Sequence, residues 1–132
     1  KQVDKIVSII GSYRNVKQVT VEENSIGTVY CDILKEKMRE VLPNIKLYKF
    51  LTTNNSKNKI IESLIAAIEK KEIQLLNDPK LILQFASYEM TFNPKTMHTS
   101  YNAPYGLNDD AVMSVAINYN SLLTKKASYC IG

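Results

Sequence analysis

Two short β-rich runs separated by a helix-periodic run constrain this chain more than any other feature. Residues 16–21 alternate, with Val19 and Val21 on one face, and predict a strand ending at Glu22. Residues 45–51 carry Ile45, Leu47, Tyr48 and Phe50 and predict a second strand. Between them Ile26, Val29, Tyr30, Ile33, Leu34, Met38 and Leu42 recur at helical spacing until Pro43-Asn44 stops the run; Asn24-Ser25 supplies its turn and cap. A helix between two strands is the pattern of a parallel pair joined by a crossover.

The remaining segments extend this alternation. Val3, Ile6, Val7, Ile10 and Tyr13 predict an amphipathic helix over 2–13, with Gly11 weakening its last turn. After a polar loop at 52–56, Ile60, Ile61, Leu64, Ile65 and Ile68 define a helix ending near Lys70-Lys71, where cations suit the helix dipole. Ser56 begins a capping pattern at its start, with Lys59 in place of the acid that completes a box. Residues 73–75 read as a short extended piece. Asp78-Pro79 opens a fourth helix with Leu81, Ile82, Phe85, Ala86 and Met90 on its buried side. The irregular stretch 91–105 pairs 91–92 with 97–101 as a small hairpin. A last helix runs over about 108–123, with Val112, Val115, Ala116, Tyr119, Leu122 and Leu123 inward, and 125–132 is a tail. Two main strands make a poor sheet, since three or more are usually needed for independent stability.

With 132 residues, 45% hydrophobic and 23% charged, the chain reads as one globular domain. No apolar run approaches the roughly 20 residues that span a bilayer, and no signal peptide is visible, so no membrane partner is expected. The formal charge of +4 is compatible with a polyanionic partner. It comes almost wholly from lysine, with Arg14 and Arg39 the only arginines, which favours backbone contact over base reading if nucleic acid is bound. Cys31 and Cys130 have no paired spacing with Cys or His. They read as reduced intracellular thiols, and two Cys with one His do not predict a zinc site.

Three places can carry chemistry. Glu22 and Glu23 end the first strand, where α/β folds place their sites, although a solvated strand end is the commoner role for such acids. Asp109-Asp110 opens the last helix. As a cap and a dipole complement, such acids contribute about 0.5–2 kcal/mol. Taken together, an acidic strand end and an acidic helix start offer the oxygen ligands that Mg²⁺ and Mn²⁺ require. The third place is Asn54-Asn55-Ser56-Lys57, where helix amides with Lys57 and Lys59 suit a phosphate as well as they suit a plain cap. His98, without a partner, reads as exposed or satisfied within the hairpin. Tyr88, Tyr101 and Tyr105 are candidates for base stacking, but more often such residues pack a loop onto a core.

In order and spacing these pieces resemble the C-terminal nuclease domain of phage terminase large subunits, which has an RNase H-like (RuvC-type) α/β fold. The matching residues are the strand ending at Glu22 with Asn24 and Gly27 after it, and the Thr/Asn/Ser-Lys loop over 51–57. Ile73-Gln74-Leu75 and the Gly-x-x-Asp-Asp-Ala-Val-Met-Ser-x-Ala run over 106–116 complete the set. The family usually has His before the paired aspartates; here Asn108 stands in that place.

The resemblance implies a two-metal DNA endonuclease, a phosphodiester hydrolase using Mg or Mn. It would cut concatemeric double-stranded DNA during viral packaging, in the cytoplasm of a bacterial host. Its partners in the intact protein would be the terminase small subunit and the portal. Glu22 and Asp110 would be metal ligands, Asp109 a ligand or a support, and Lys57, Lys59 and Asn24 would contact DNA. The family's first catalytic aspartate lies on a strand preceding the helix at 2–13, and Asp4, within a helix, cannot replace it. The chain is therefore expected to be a fragment: residues 1–124 form an incomplete nuclease domain lacking the first strands of its central sheet, with no ATPase motif and little activity alone. The rival readings are a non-catalytic DNA-binding or assembly module, and a related RNase H-like resolvase or transposase.

Overall fold

The computed structural model describes residues 1–24 and 27–131, with the side chains of the last helix described as far as Thr124. The cap and helix start expected at Ser25 and Ile26, and the side chain of Cys130, lie outside the described residues. The chain is mixed α/β with five helices and two small sheets among the described residues. It divides into two compact units, Lys1–Thr52 and Thr53–Gly132.

The first unit contains α1 (Gln2–Ser12), β1 (Gln18–Glu22), α2 (Gly27–Val41) and β2 (Lys46–Phe50). The two strands pair in parallel, with Val19 opposite Leu47 and Glu22 opposite Phe50, as the strand–helix–strand pattern predicts. Val7, Leu34 and Met38 form the buried core, and Val3, Ile6, Ile10, Val19, Val21, Leu42, Ile45 and Leu47 pack against it. Gly11 of α1 faces Leu42, whose Cδ2 lies 3.4 Å from where a Cβ would stand, an ordinary contact distance. One expectation for α2 is corrected. Cys31, Leu34 and Met38 are its buried residues, whereas Val29 and Ile33 are more than half exposed. Apolar residues flank both sides of the stripe, so periodicity alone does not select the inward one. Val29 and Ile33 instead line an open groove of about 820 Å³ with Ile6, Ile9 and Val21.

The second unit contains α3 (Asn54–Glu69), α4 (Pro79–Ser87), β3 (Glu89–Asn93), β4 (His98–Asn102) and α5 (Asp110–Ile131). Its core is Ile60, Ile61, Leu64 and Ala67 of α3, Tyr101 of β4, and Val112, Met113, Ala116 and Ile117 of α5. α3 begins a turn earlier than its Ser56 suggested. Thr53 is the N-cap and Ser56 is the third helical residue, and the two complete a reciprocal box. α4 begins as expected, with the Asp78 carboxylate accepting from the amides of Lys80 and Leu81 and Pro79 at the first position. The hairpin also forms, with Thr91 opposite Ser100 and Phe92 opposite Thr99. The Asn93 side chain accepts from the amides of Lys95 and Thr96 inside its loop, and Met97 closes it at a φ of 55°.

Four expectations for this unit are corrected. Residues 73–75 belong to no strand. α4 buries none of its residues fully, and Met90 lies on β3, largely exposed. α5 turns Met113 and Ile117 inward beside Val112 and Ala116, while Leu122 is more than half exposed. Its apolar residues cover more than one stripe, and packing against α3 and α4 selects among them. Finally, α5 continues to Ile131 where a tail was expected, because no Gly or Pro interrupts it before Gly132.

Candidate functional site

Glu22 is the last residue of β1, at the C-terminal end of a parallel strand. Its Oε1 accepts hydrogen bonds from the Thr52 hydroxyl, just beyond β2, and from the Asn24 side-chain amide at 3.0 Å. Both donors are neutral, so they orient the carboxylate without cancelling its charge. Asn24, expected to contact DNA, donates one of its two side-chain N–H groups to Glu22. Glu23 behaves differently. The Lys49 ammonium lies 3.2 Å from Glu23 and 2.9 Å from Asp32, and these two acids hold it above the ordinary lysine range. Cys31 is buried beside this group, and burial raises its thiol.

In the second unit the site is built around Lys57, in the first turn of α3. Its ammonium lies 3.1 Å from Asp109 Oδ2 and 3.1 Å from Asn102 Oδ1. It also lies 5.9 Å from the centroid of the Tyr88 ring, within cation–π range. The Tyr88 hydroxyl donates to the Tyr101 carbonyl, and burial, followed by the charge of Asp109, pushes its phenol well above the ordinary tyrosine value. Lys57 therefore joins α3, β4 and the start of α5, and it is not a free point charge beside the α3 amides. Lys59 is exposed on α3.

The two aspartates separate into different roles. The Asp109 carbonyl accepts the amide of Met113 at 2.9 Å, the first turn of α5, while its carboxylate engages Lys57. Asp110 is the first residue of α5 and is exposed. The amide of Ala111, left over at this helix start, donates to Gln84 Oε1 of α4 at 2.8 Å. A side chain from another helix thus supplies the cap expected from Asn108 or Asp109. A glycine serves the entry to α5: Gly106, at φ 83°, occupies the turn closed by the Leu107 amide on the Pro104 carbonyl.

Of the remaining candidates, His98 is exposed at the start of β4. Tyr101 is buried and Tyr88 packs beside Lys57, whereas Tyr105 is fully exposed. Reading the sequence did not single out Thr52, Gln84 or Asn102. Thr52 stood in a visibly polar loop, but Gln84 and Asn102 act on residues distant in the chain and leave no local signal.

Among the described residues no three His, Cys, Asp or Glu side chains come together to hold a metal ion. Glu22 stands in the first unit with neutral donors, and Asp109 in the second is already paired with a lysine. The donor groups within each unit therefore do not make up a metal centre. No family model, curated protein or solved structure matches the chain. The fold and these side chains define a mixed α/β protein with an oriented carboxylate in one unit and a lysine-centred polar cluster in the other.

Proposed function

We propose that this chain is part of a metal-dependent DNA endonuclease of the phage terminase type, with an RNase H-like domain, and that Glu22 and Asp110 are its acids for Mg²⁺ or Mn²⁺. The observation that carries the reading is the Glu22 carboxylate. It closes a parallel strand, is oriented by Thr52 and Asn24, and has no ion pair among the described residues. The exposed Asp110 supports it, as do the order and spacing of the motifs over 22–27, 51–57, 73–75 and 106–116.

Mn²⁺ titration of the chain, of Glu22→Gln and of Asp110→Asn, followed by the resonance of free Mn²⁺, tests the assignment. Each substitution is expected to weaken binding by about tenfold or more while circular dichroism is unchanged. Unchanged affinity in both variants would sink it. A second reading, a non-catalytic DNA-binding or assembly module, is favoured by the Lys57–Asp109 pair, which gives one of the acids a structural partner. That reading expects from the same substitutions only the small stability loss of a cap.

A further inference from the structure

We propose that the outer edge of β3 is a self-association surface, which pairs antiparallel with β3 of a second copy of this chain across a two-fold axis at Thr91. The proposal goes beyond the nuclease reading and does not rest on it.

The backbone of the hairpin decides which groups face that edge. β3 pairs with β4 alone among the described residues, with Met90 opposite Tyr101 and Phe92 opposite Thr99. The Thr99 carbonyl accepts the Asn58 side-chain amide at 2.7 Å, and the Tyr101 carbonyl accepts the Tyr88 hydroxyl at 3.2 Å. Both carbonyls therefore turn away from β3. In an antiparallel pair, the residues opposite them turn their own N–H and C=O outward as well. The N–H and C=O of Met90 and Phe92 thus face the open edge of β3, where no backbone partner meets them among the described residues. Asn58 and Tyr88 cover the outer edge of β4, and β3 has no such cover among the described residues.

The side chains follow the same pattern. Every residue of β3 is exposed, Met90 at 66% and Phe92 at 50%. Both lie on the sheet face of the buried Tyr101, since directly opposed residues share a face. Met90 also borders an apolar cavity of about 240 Å³ with Ile65, Ile68, Phe85 and Tyr88. The strand carries neither lysine nor proline, the residues that commonly blunt an edge.

One register satisfies this edge. With Met90 of each copy opposite Phe92 of the other, every outward N–H meets an outward C=O. The same register sets a thioether beside an aromatic ring, a favourable contact, and places Glu89 opposite Asn93 rather than opposite its own copy. Sliding by two residues one way sets Met90 against Pro94, which has no N–H. Sliding the other way sets Phe92 against Tyr88, which lies outside the strand. A surface that fits its own copy after a half-turn makes a closed two-fold interface. Two hairpins, each marginal alone, then become one four-stranded sheet.

Sedimentation velocity of the whole chain over a concentration series tests the pairing, with circular dichroism on each variant. The unmodified chain is expected to dimerise as concentration rises, and Met90→Lys combined with Phe92→Lys to weaken association by about tenfold or more. A chain that stays monomeric to millimolar concentration overturns the proposal and leaves this edge to a different partner. A dimer that the two lysines do not weaken overturns it too. Thr91→Cys and Asn93→Cys, each in a Cys130→Ser background under mild oxidation, read the register. Thr91 meets its own copy at a Cα separation of about 4.5 Å, which a disulfide spans, so Thr91→Cys is expected to cross-link and Asn93→Cys is not. Equal cross-linking at the two positions, or none at Thr91, overturns the proposal even if the lysine variant fails to fold.

Discussion

The two units solve the same burial problem with unequal means. In Lys1–Thr52, two helices cover a parallel pair, and much of the apolar lining of the core is only half-buried. β1 and β2 pair only with each other among the described residues, so each keeps one unpaired edge. In Thr53–Gly132, α3 and α5 bury apolar residues over several turns, and a hairpin strand contributes Tyr101. The electrostatics differ in parallel. Glu22 is oriented by neutral donors, whereas Asp109 is matched by a lysine inside the structure. Of these two acids the one left without a cation stands in the first unit and the paired one in the second, although the first unit also pairs Glu23 and Asp32 with Lys49. Water can offset an unpaired charge near a surface, while a well-packed region requires a partner.

The strongest way to break this comparison is to cut one leucine from each core. Leu64→Ala is expected to cost toward the upper part of the roughly 2–5 kcal/mol range for such cavities, because Leu64 belongs to a core that also buries Ile60, Ile61, Ala67, Val112, Met113, Ala116 and Ile117. Leu34→Ala is expected near the lower part, since half-buried neighbours can relax or admit water. Urea denaturation of both variants measures the difference, and equal losses would erase the distinction between the units.

A smaller effect concerns pH. The Tyr88 phenol is held protonated in the folded chain beyond the point where it ionises when unfolded, and Tyr101 shifts in the same direction. Its contribution is therefore fully present below about pH 10 and is lost as pH rises above it. Tyr88→Phe is expected to make the alkaline loss less steep, at a neutral-pH cost of about 0.5–1.5 kcal/mol for the hydrogen bond to Tyr101. Thermal melts across this pH range would expose an unchanged slope if the phenol played no part.

The smallest effect is local to α3. Thr53→Ala removes one side of the capping box and is expected to cost about 0.5–2 kcal/mol. Hydrogen exchange should show the loss in the first turn of α3 and leave the first unit unchanged.

Features fixed by neighbouring residues were legible from the chain alone. The parallel strands and the helix between them follow from the change of hydrophobic period at residues 18–50. Asp78-Pro79 marks a helix start because both act within one turn. The hairpin between β3 and β4 follows from two short runs around a turn. The stripe that each helix buries was less legible, because α2 and α5 carry apolar residues on several sides and only the packed neighbour selects among them.

The side-chain partnerships were decided by tertiary structure. Lys57 meets Asp109 across 52 positions of sequence, and Gln84 caps α5 from 27 positions away. Such pairs leave no periodicity, because each partner serves its own element locally while the contact depends on how those elements pack. The sequence by itself determined that Asp109-Asp110 would open a helix. Only the fold determined that Asp109 would be held by a lysine and Asp110 left to solvent, because the direction of each side chain at a helix start depends on which helices and strands lie against it.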